Sequence, residues 1–236
     1  MRRYDVVLFD AGETLLRPEP SFPVLIVRLL RARGVEVEHD EPEWIERALG
    51  TVFRAMDDLV VNGRQFSTSA ERSRAFWSEI YARLLRELGV EDHDGVHATF
   101  LYDEFSKPEH YALFPDALPA LHELAANGYG LGIVSNFEAW LMTLLERLDV
   151  LPLMKVVVVS GAEGIEKPDP EIFRRALDRL GVAAERAVYV GDNPRIDVEP
   201  AVAMGMGAVL VDRRGVHAGF TGTKVRSLEQ VPAVIR

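Results

Sequence analysis

The sequence predicts an α/β fold: a doubly wound parallel sheet that is interrupted, just after its first strand, by an all-helical insertion. Three observations carry this. Apolar runs at 4–9, 130–134, 155–160, 187–190 and 208–211 are mostly continuous Val, Ile and Leu rather than alternating. Strands buried on both faces of a parallel sheet have that composition. Amphipathic helical patterns separate the later runs, which is the rhythm of βαβ units. Residues 18–107 break that rhythm, with helical periodicity and no convincing strand.

The first run ends on Asp10. An ionised side chain buried there costs several kcal/mol unless something pairs with it, so Asp10 demands a partner. In the insertion, Phe22, Leu25, Ile26, Leu29 and Leu30 recur at helical spacing, and Phe76, Trp77, Ile80, Tyr81, Leu84, Leu85 and Leu88 do so again. Such aromatic residues read as bundle core. Proline-bearing stretches, "RPEPSFP" (17–23) and "SKPEHYALFPD" (106–116), flank the interval and mark its junctions. The expected division is therefore a core of residues 1–17 and 108–236 with a helical cap of residues 18–107, for which a lid over the strand ends is one use. Beyond it, helical patterns run through Leu118, Leu121 and Leu124, then Leu141, Leu144, Leu145 and Leu148, then Ile172, Phe173, Ala176, Leu177 and Leu180. Gly205 and Gly207 end a helix and admit the last strand. Neither "GMGAVLV" nor "GVHAGFTG" matches a dinucleotide-binding fingerprint. His93 and His97 stand four apart, but Gly95 lies between them and no third ligand is evident, so they read as exposed cap surface.

A chain of 236 residues accommodates one large domain, or a domain with an insertion. Its net charge of −10 argues against nucleic acid or an anionic membrane surface as the main partner. The absence of cysteine excludes disulfides, zinc–thiolate sites and thiol catalysis. No stretch approaches the ~18 apolar residues of a membrane span, and the apolar run in "MRRYDVVLFDAG" is too short for a signal peptide. A cytoplasmic protein is expected.

Ligands of open parallel sheets bind at the carboxyl ends of the strands. There the sequence places Asp10, then Ser135 and Asn136, then Lys167 in "GIEKPDPEIF", then Asp192 and Asp197 in "GDNPRID". Taken singly, each has a plain explanation. An Asp or Ser after a strand is often a helix N-cap, "KPDPEIF" suits a helix start with Asp169 as cap and Pro170 at N1, and a lone lysine is usually a solvated charge. Together they supply three carboxylates, a lysine and a hydroxyl on one edge. Carboxylates, carbonyls and water make a Mg²⁺ site, because that hard cation takes oxygen ligands. A lysine and a hydroxyl donor suit an anionic oxygen cluster in phosphoryl transfer. An aspartate can also serve as nucleophile through an acyl-phosphate.

With these four segments in order, "LFDAGETL", "LGIVSN", "EKPDP" and "VGDNPRID", the chain resembles the haloacid dehalogenase superfamily of hydrolases along essentially its whole length. The insertion is similar to that family's helical C1 cap. The resemblance implies that Asp10 is the nucleophile and a Mg²⁺ ligand, and that Thr14 orients its loop. Ser135 and Lys167 would bind the phosphoryl group, with Asn136 beside them and Lys167 also screening Asp10. Asp192 would bind the metal directly, and Asp197 would bind or support it. The substrate implied is a small phosphorylated metabolite. One position departs: family phosphatases usually carry a second Asp two residues after the nucleophile, and here it is Gly12. Its carbonyl can still serve the metal, but the group that protonates the leaving group is missing, a role worth about 10²–10⁴-fold. Consecutive side chains point apart, which argues against Glu13 as a substitute. A 2-haloacid dehalogenase, whose first motif also lacks that Asp, is an alternative; so is a low-turnover binding module of the same fold. Arg17, Arg54, Arg64 and Trp77 are candidates for facing the substrate. No feature sets an oligomeric state.

Overall fold

The computed structural model describes residues 3–236. The chain forms two compact units, residues 1–16 with 113–236, and residues 17–112.

The first unit is built on six parallel strands in the order β5-β4-β1-β6-β7-β8. These are β1 (Val6–Phe9), β4 (Gly130–Ser135), β5 (Val156–Val159), β6 (Ala187–Gly191), β7 (Gly207–Val211) and β8 (Lys224–Val225). Parallel neighbours need crossovers. Here α5 (Ala117–Ala126) leads into β4 and α6 (Leu141–Arg147) leaves it; α7 (Ser160–Glu163) and α8 (Pro170–Leu180) join β5 to β6, and α9 (Glu199–Ala203) joins β6 to β7. The chain ends near α10 (Val231–Val234).

The apolar runs behave as their composition requires. Leu8, Val134, Val158 and Tyr189 pack against Ile172, Phe173, Ala176 and Leu177 of α8 in one buried cluster. Asp169 caps α8 by accepting from the Glu171 N–H, with Pro170 in the first turn. The plain reading of "KPDPEIF" as a helix start is therefore right for Asp169 and Pro170, while Lys167 just ahead of them is buried. Because β1 sits in the middle of the sheet with β4 and β5 on one side and β6 to β8 on the other, the strand order reverses at β1. A crevice forms at such a switch point, outside the carboxyl ends of the strands.

Three differences from the sequence reading have local causes. The predicted run 155–160 overshoots, because Ser160 opens α7, where its hydroxyl accepts from the Phe137 N–H at 2.9 Å and donates to the Phe137 carbonyl at 3.0 Å. The edge strand β8 has two residues, too few to show a period. A separate two-stranded ribbon pairs β2 (Leu16–Pro18) with β3 (Tyr111–Leu113), each three residues long.

The second unit holds α1 (Phe22–Ala32), α2 (Pro42–Val61), α3 (Ala70–Glu87) and α4 (Val96–Phe105). Ser21 and Ser69 cap α1 and α3 through their side chains. Trp77 stacks on Tyr81, which stacks on Phe105, which stacks on Phe22, at centroid separations of 5.8, 5.5 and 5.2 Å. These rings are bundle core, as their spacing predicts. His93 and His97 do not share a helix, since α4 starts at Val96 after Gly95 in a left-handed conformation, and His93 is exposed beside Glu91. Among the described residues, no helix is long and apolar enough to cross a membrane.

Candidate functional site

The Asp10 backbone N–H still follows the sheet, donating to the Val190 carbonyl at 2.9 Å. Its carboxylate therefore stands between the ends of β4 and β6, and it is buried. The chain then turns sharply: the Leu15 and Leu16 N–H groups return to the Ala11 carbonyl at 2.9 and 2.8 Å, and Glu13 donates to Leu16 at 2.8 Å. This turn holds Glu13 at φ 54, the left-handed region. Thr14 is fully buried, and its hydroxyl lies 3.3 Å from Asp192 Oδ1.

Asp192 directly follows β6. Asp197 comes next on a wide turn in which the N–H groups of both Asp197 and Val198 reach the Asn193 carbonyl, at 3.0 and 3.2 Å. Asn193 caps that turn from its side chain, and its N–H donates to Asp197 Oδ2 at 3.0 Å. Gly191 makes the approach possible, for a Cβ there would collide with the Asp197 carboxylate.

Lys167 is 2 % exposed, and all three of its ammonium protons have acceptors: Asp197 Oδ1 at 2.6 Å, Asp10 Oδ1 at 2.7 Å and the Tyr189 hydroxyl at 2.8 Å. The tyrosine spends its own proton on the Val134 carbonyl at 2.6 Å, so it faces the lysine as an acceptor. Asn136 holds the lysine from outside the site. Its amide donates to the Lys167 carbonyl at 2.7 Å, and its oxygen accepts the Lys167 N–H at 2.6 Å. Both ends of that side chain, expected beside the phosphate, are thus committed to the lysine's backbone. Burial opposes the lysine's charge, but the Asp10 and Asp197 carboxylates outweigh it and hold the ammonium above its usual pKa.

One oxygen from each of Asp10, Asp192 and Asp197 lies within 4.8 Å of the others. Burial and the Asp197 charge raise Asp10 above the ordinary carboxylate range, although Lys167 and a hydrogen bond from Ser135 pull it back. Asp192 is pushed well above that range by burial, then by the charges of Asp197, Asp10 and Glu13. Crowded carboxylates of this kind, too few of them paired, fit a divalent cation bound through oxygen.

A Cβ built on Gly12 meets nothing within 4 Å, so the absence of a side chain there is not a steric demand. Glu13 and Asp192 together line a cavity of about 140 Å³ with Phe114, Arg213, Arg214 and His217. Of the substrate-facing candidates, Arg17 pairs with Glu19 at 2.7 Å, Arg54 reaches the Thr51 hydroxyl at 3.3 Å and Arg64 reaches Glu79 at 3.4 Å, all inside the helical unit. Sequence reasoning missed Tyr189 and Arg213. The one signal for Tyr189 is a phenol in an otherwise aliphatic strand, "AVYVG".

The haloacid dehalogenase-like hydrolase family matches residues 4–205. A phosphoserine phosphatase of Thermus thermophilus is 32 % identical over 88 % of this chain and 88 % of its own. The crystal structure of a HAD phosphatase from Thermococcus onnurineus superposes with a TM-score of 0.63 at 26 % identity, covering 98 % of this chain and 97 % of that one. A dehalogenase crystal structure gives a TM-score of 0.67 at 24 % identity over 99 % and 98 % of the two chains. Likeness of fold therefore does not discriminate the two chemistries, and the site must.

Proposed function

Because the chain belongs to the haloacid dehalogenase-like hydrolases, we propose that it is a Mg²⁺-dependent phosphatase acting on a small phosphorylated metabolite. The observation that carries this is the charge balance: three carboxylates within 4.8 Å face one lysine. Halide displacement from a 2-halo acid calls for no cation and leaves Asp192 uncompensated in a buried site. Asp10, Asp192, Asp197 and the Gly12 carbonyl would hold a divalent ion that compensates it, and that ion would supply charge neutralisation for a phosphoryl group.

In the proposed reaction a carboxylate oxygen of Asp10 attacks phosphorus and the ester P–O bond breaks, giving an aspartyl-phosphate. Water then attacks that phosphorus and returns the carboxylate and inorganic phosphate. Lys167 keeps Asp10 oriented at 2.7 Å, and Ser135 at the end of β4 offers a hydroxyl to a phosphoryl oxygen. A phosphoryl oxygen that binds Lys167 takes the place of one of its three present acceptors. Gly12 supplies no proton, so the leaving group departs unassisted, and substrates with good leaving groups are favoured.

The test is hydrolysis of acetyl phosphate, p-nitrophenyl phosphate and a phosphometabolite panel with and without Mg²⁺, alongside halide release from 2-chloropropionate, with Asp10→Asn as the inactive control. Mg²⁺-dependent phosphate release that Asp10→Asn abolishes supports the proposal. Metal-independent halide release overturns it in favour of a dehalogenase. No turnover of any substrate overturns it in favour of a binding module.

A further inference from the structure

Arg213 follows β7 and plays no part in the reaction just described, yet it is bonded to the loop that carries the nucleophile. Its Nη2 donates to the Thr14 carbonyl at 2.8 Å and to Asp116 Oδ1 at 3.0 Å, and its Nη1 donates to Asp116 Oδ2 at 2.8 Å. The guanidinium lies 3.8 Å from the centroid of the Phe114 ring. Asp116 is itself fixed from the far end of the chain, by the Ser227 hydroxyl and the Leu228 N–H, both at 2.8 Å. Serving a carboxylate and a carbonyl together while stacking on a ring needs the planar fork of arginine, which lysine lacks.

The loop it holds is one that needs holding. Glu13 sits at φ 54, in the left-handed region that a residue with a Cβ disfavours. Thr14, the next residue, gives its carbonyl to Arg213 and points its hydroxyl at Asp192. Without that bond, Glu13 would be free to relax to negative φ and carry the Thr14 hydroxyl away from Asp192. We propose that Arg213 is a positioning residue: it braces the turn at Glu13 and Thr14 against Asp116, and so fixes the nucleophile loop relative to the carboxylates of β6. The kinetic consequence rests on the phosphatase reading; the structural one does not.

Arg213→Lys keeps a cation beside Asp116 but lacks the planar fork that grips both Asp116 oxygens and the Thr14 carbonyl while lying on the Phe114 ring. In Mg²⁺-dependent p-nitrophenyl phosphate hydrolysis, its kcat is expected to fall roughly 10- to 100-fold, as misplacement of reacting groups does, with KM changed less than about threefold. Adding Glu13→Gly, which adopts positive φ without steric cost, should restore most of that kcat. A second readout needs no substrate. Amide hydrogen exchange at Leu15 and Leu16 should quicken about tenfold in Arg213→Lys, reflecting local opening, while the β1 amides keep wild-type rates. Unchanged exchange at Leu15 and Leu16 overturns the proposal. So does a loss of kcat that Glu13→Gly leaves unrestored, because it assigns Arg213 to general stability. If the wild-type protein hydrolyses no phosphate ester, the phosphatase reading fails by itself and the exchange measurement decides the role of Arg213.

Discussion

Replacing Gly12 with Asp should convert a site without a proton donor into one that has it. The backbone accepts the change: Gly12 is not among the glycines at positive φ, and no atom lies within 4 Å of the added Cβ. The substitution also removes freedom from the unfolded chain, a stabilisation of about 0.4–1 kcal/mol, so a loss of fold is not expected. The new carboxyl group joins a loop whose neighbours Asp10 and Asp192 are both held above the ordinary carboxylate range, first by burial. Like charge from the nearby Asp10 and Asp192 carboxylates disfavours its ionised form, which leaves the protonated form that can donate. General acid catalysis contributes ~10²–10⁴-fold, or about 3–5 kcal/mol of barrier. The full effect applies to alkyl phosphates, whose alkoxide leaving groups are poor, and little of it applies to p-nitrophenyl phosphate. The assay is kcat/KM across a series of aryl and alkyl phosphates, plotted against leaving-group pKa. The wild-type line should fall steeply, and the Gly12→Asp line should be shallow and lie above it at the alkyl end. Two parallel lines, or a slower variant with an unchanged melting temperature, would refute the argument that position 12 faces the leaving group.

Three further outcomes follow from the same geometry. Asp10→Asn should form no phosphoenzyme in rapid-quench experiments with labelled acetyl phosphate, whereas the wild-type protein should do so within the first turnover. Lys167→Met leaves the buried Asp10 and Asp197 carboxylates without their shared counter-charge; removing one partner from a buried pair costs about 3–5 kcal/mol, which urea unfolding at pH 7 would show as a lowered midpoint. For Asp116, burial pushes the pKa up, but hydrogen bonds from Arg213, Leu228 and Ser227 outweigh it and hold the carboxyl below its ordinary value. That lowered value contributes stability in full above the unfolded pKa of ~4 and loses it as pH falls through the folded one. Asp116→Asn should therefore reduce the urea midpoint at pH 7, with the gap to wild type narrowing by pH 3.

The site was legible where it follows from sheet geometry and illegible where it depends on long-range pairing. Asp10, Ser135 and Asp192 each stand at the end of an apolar run, so reading those runs as parallel strands puts them on one edge without any knowledge of contacts. Asn136 was legible as a position but not as a partner, because its amide meets the backbone of a residue 31 positions away. Tyr189 reads as one more apolar strand residue, and only the fold brings its hydroxyl to the lysine. Arg213 is harder still: its partners are Thr14 and Asp116, 199 and 97 positions distant, and no local pattern encodes such bonds. The left-handed turn at Glu13 escaped for a related reason, since its neighbour Gly12 looks like the residue that takes the unusual conformation, and it does not.

That one lysine bonds only two of the three carboxylates bears on why the position after β6 matters for the proposed choice of chemistry. Lys167 reaches Asp10 and Asp197 at 2.7 and 2.6 Å, and its third proton goes to a neutral phenol. All three N–H bonds of that ammonium are spent elsewhere, and Asp192 accepts from the Thr14 hydroxyl at 3.3 Å. The charge deficit is thus localised on the β6 side of the nucleophile, where Glu13 adds to it. Asp10, Asp192 and Asp197 would hold a cation there, and it would supply the positive charge that the ammonium does not bring to Asp192. Phosphoryl transfer uses both positive poles, one for the nucleophile and one for the phosphoryl oxygens. Halide displacement has use for the first only. On the proposed phosphatase reading, Asp192 would select the reaction, and Gly12 would then select among phosphate esters by leaving the departing group to carry its own charge.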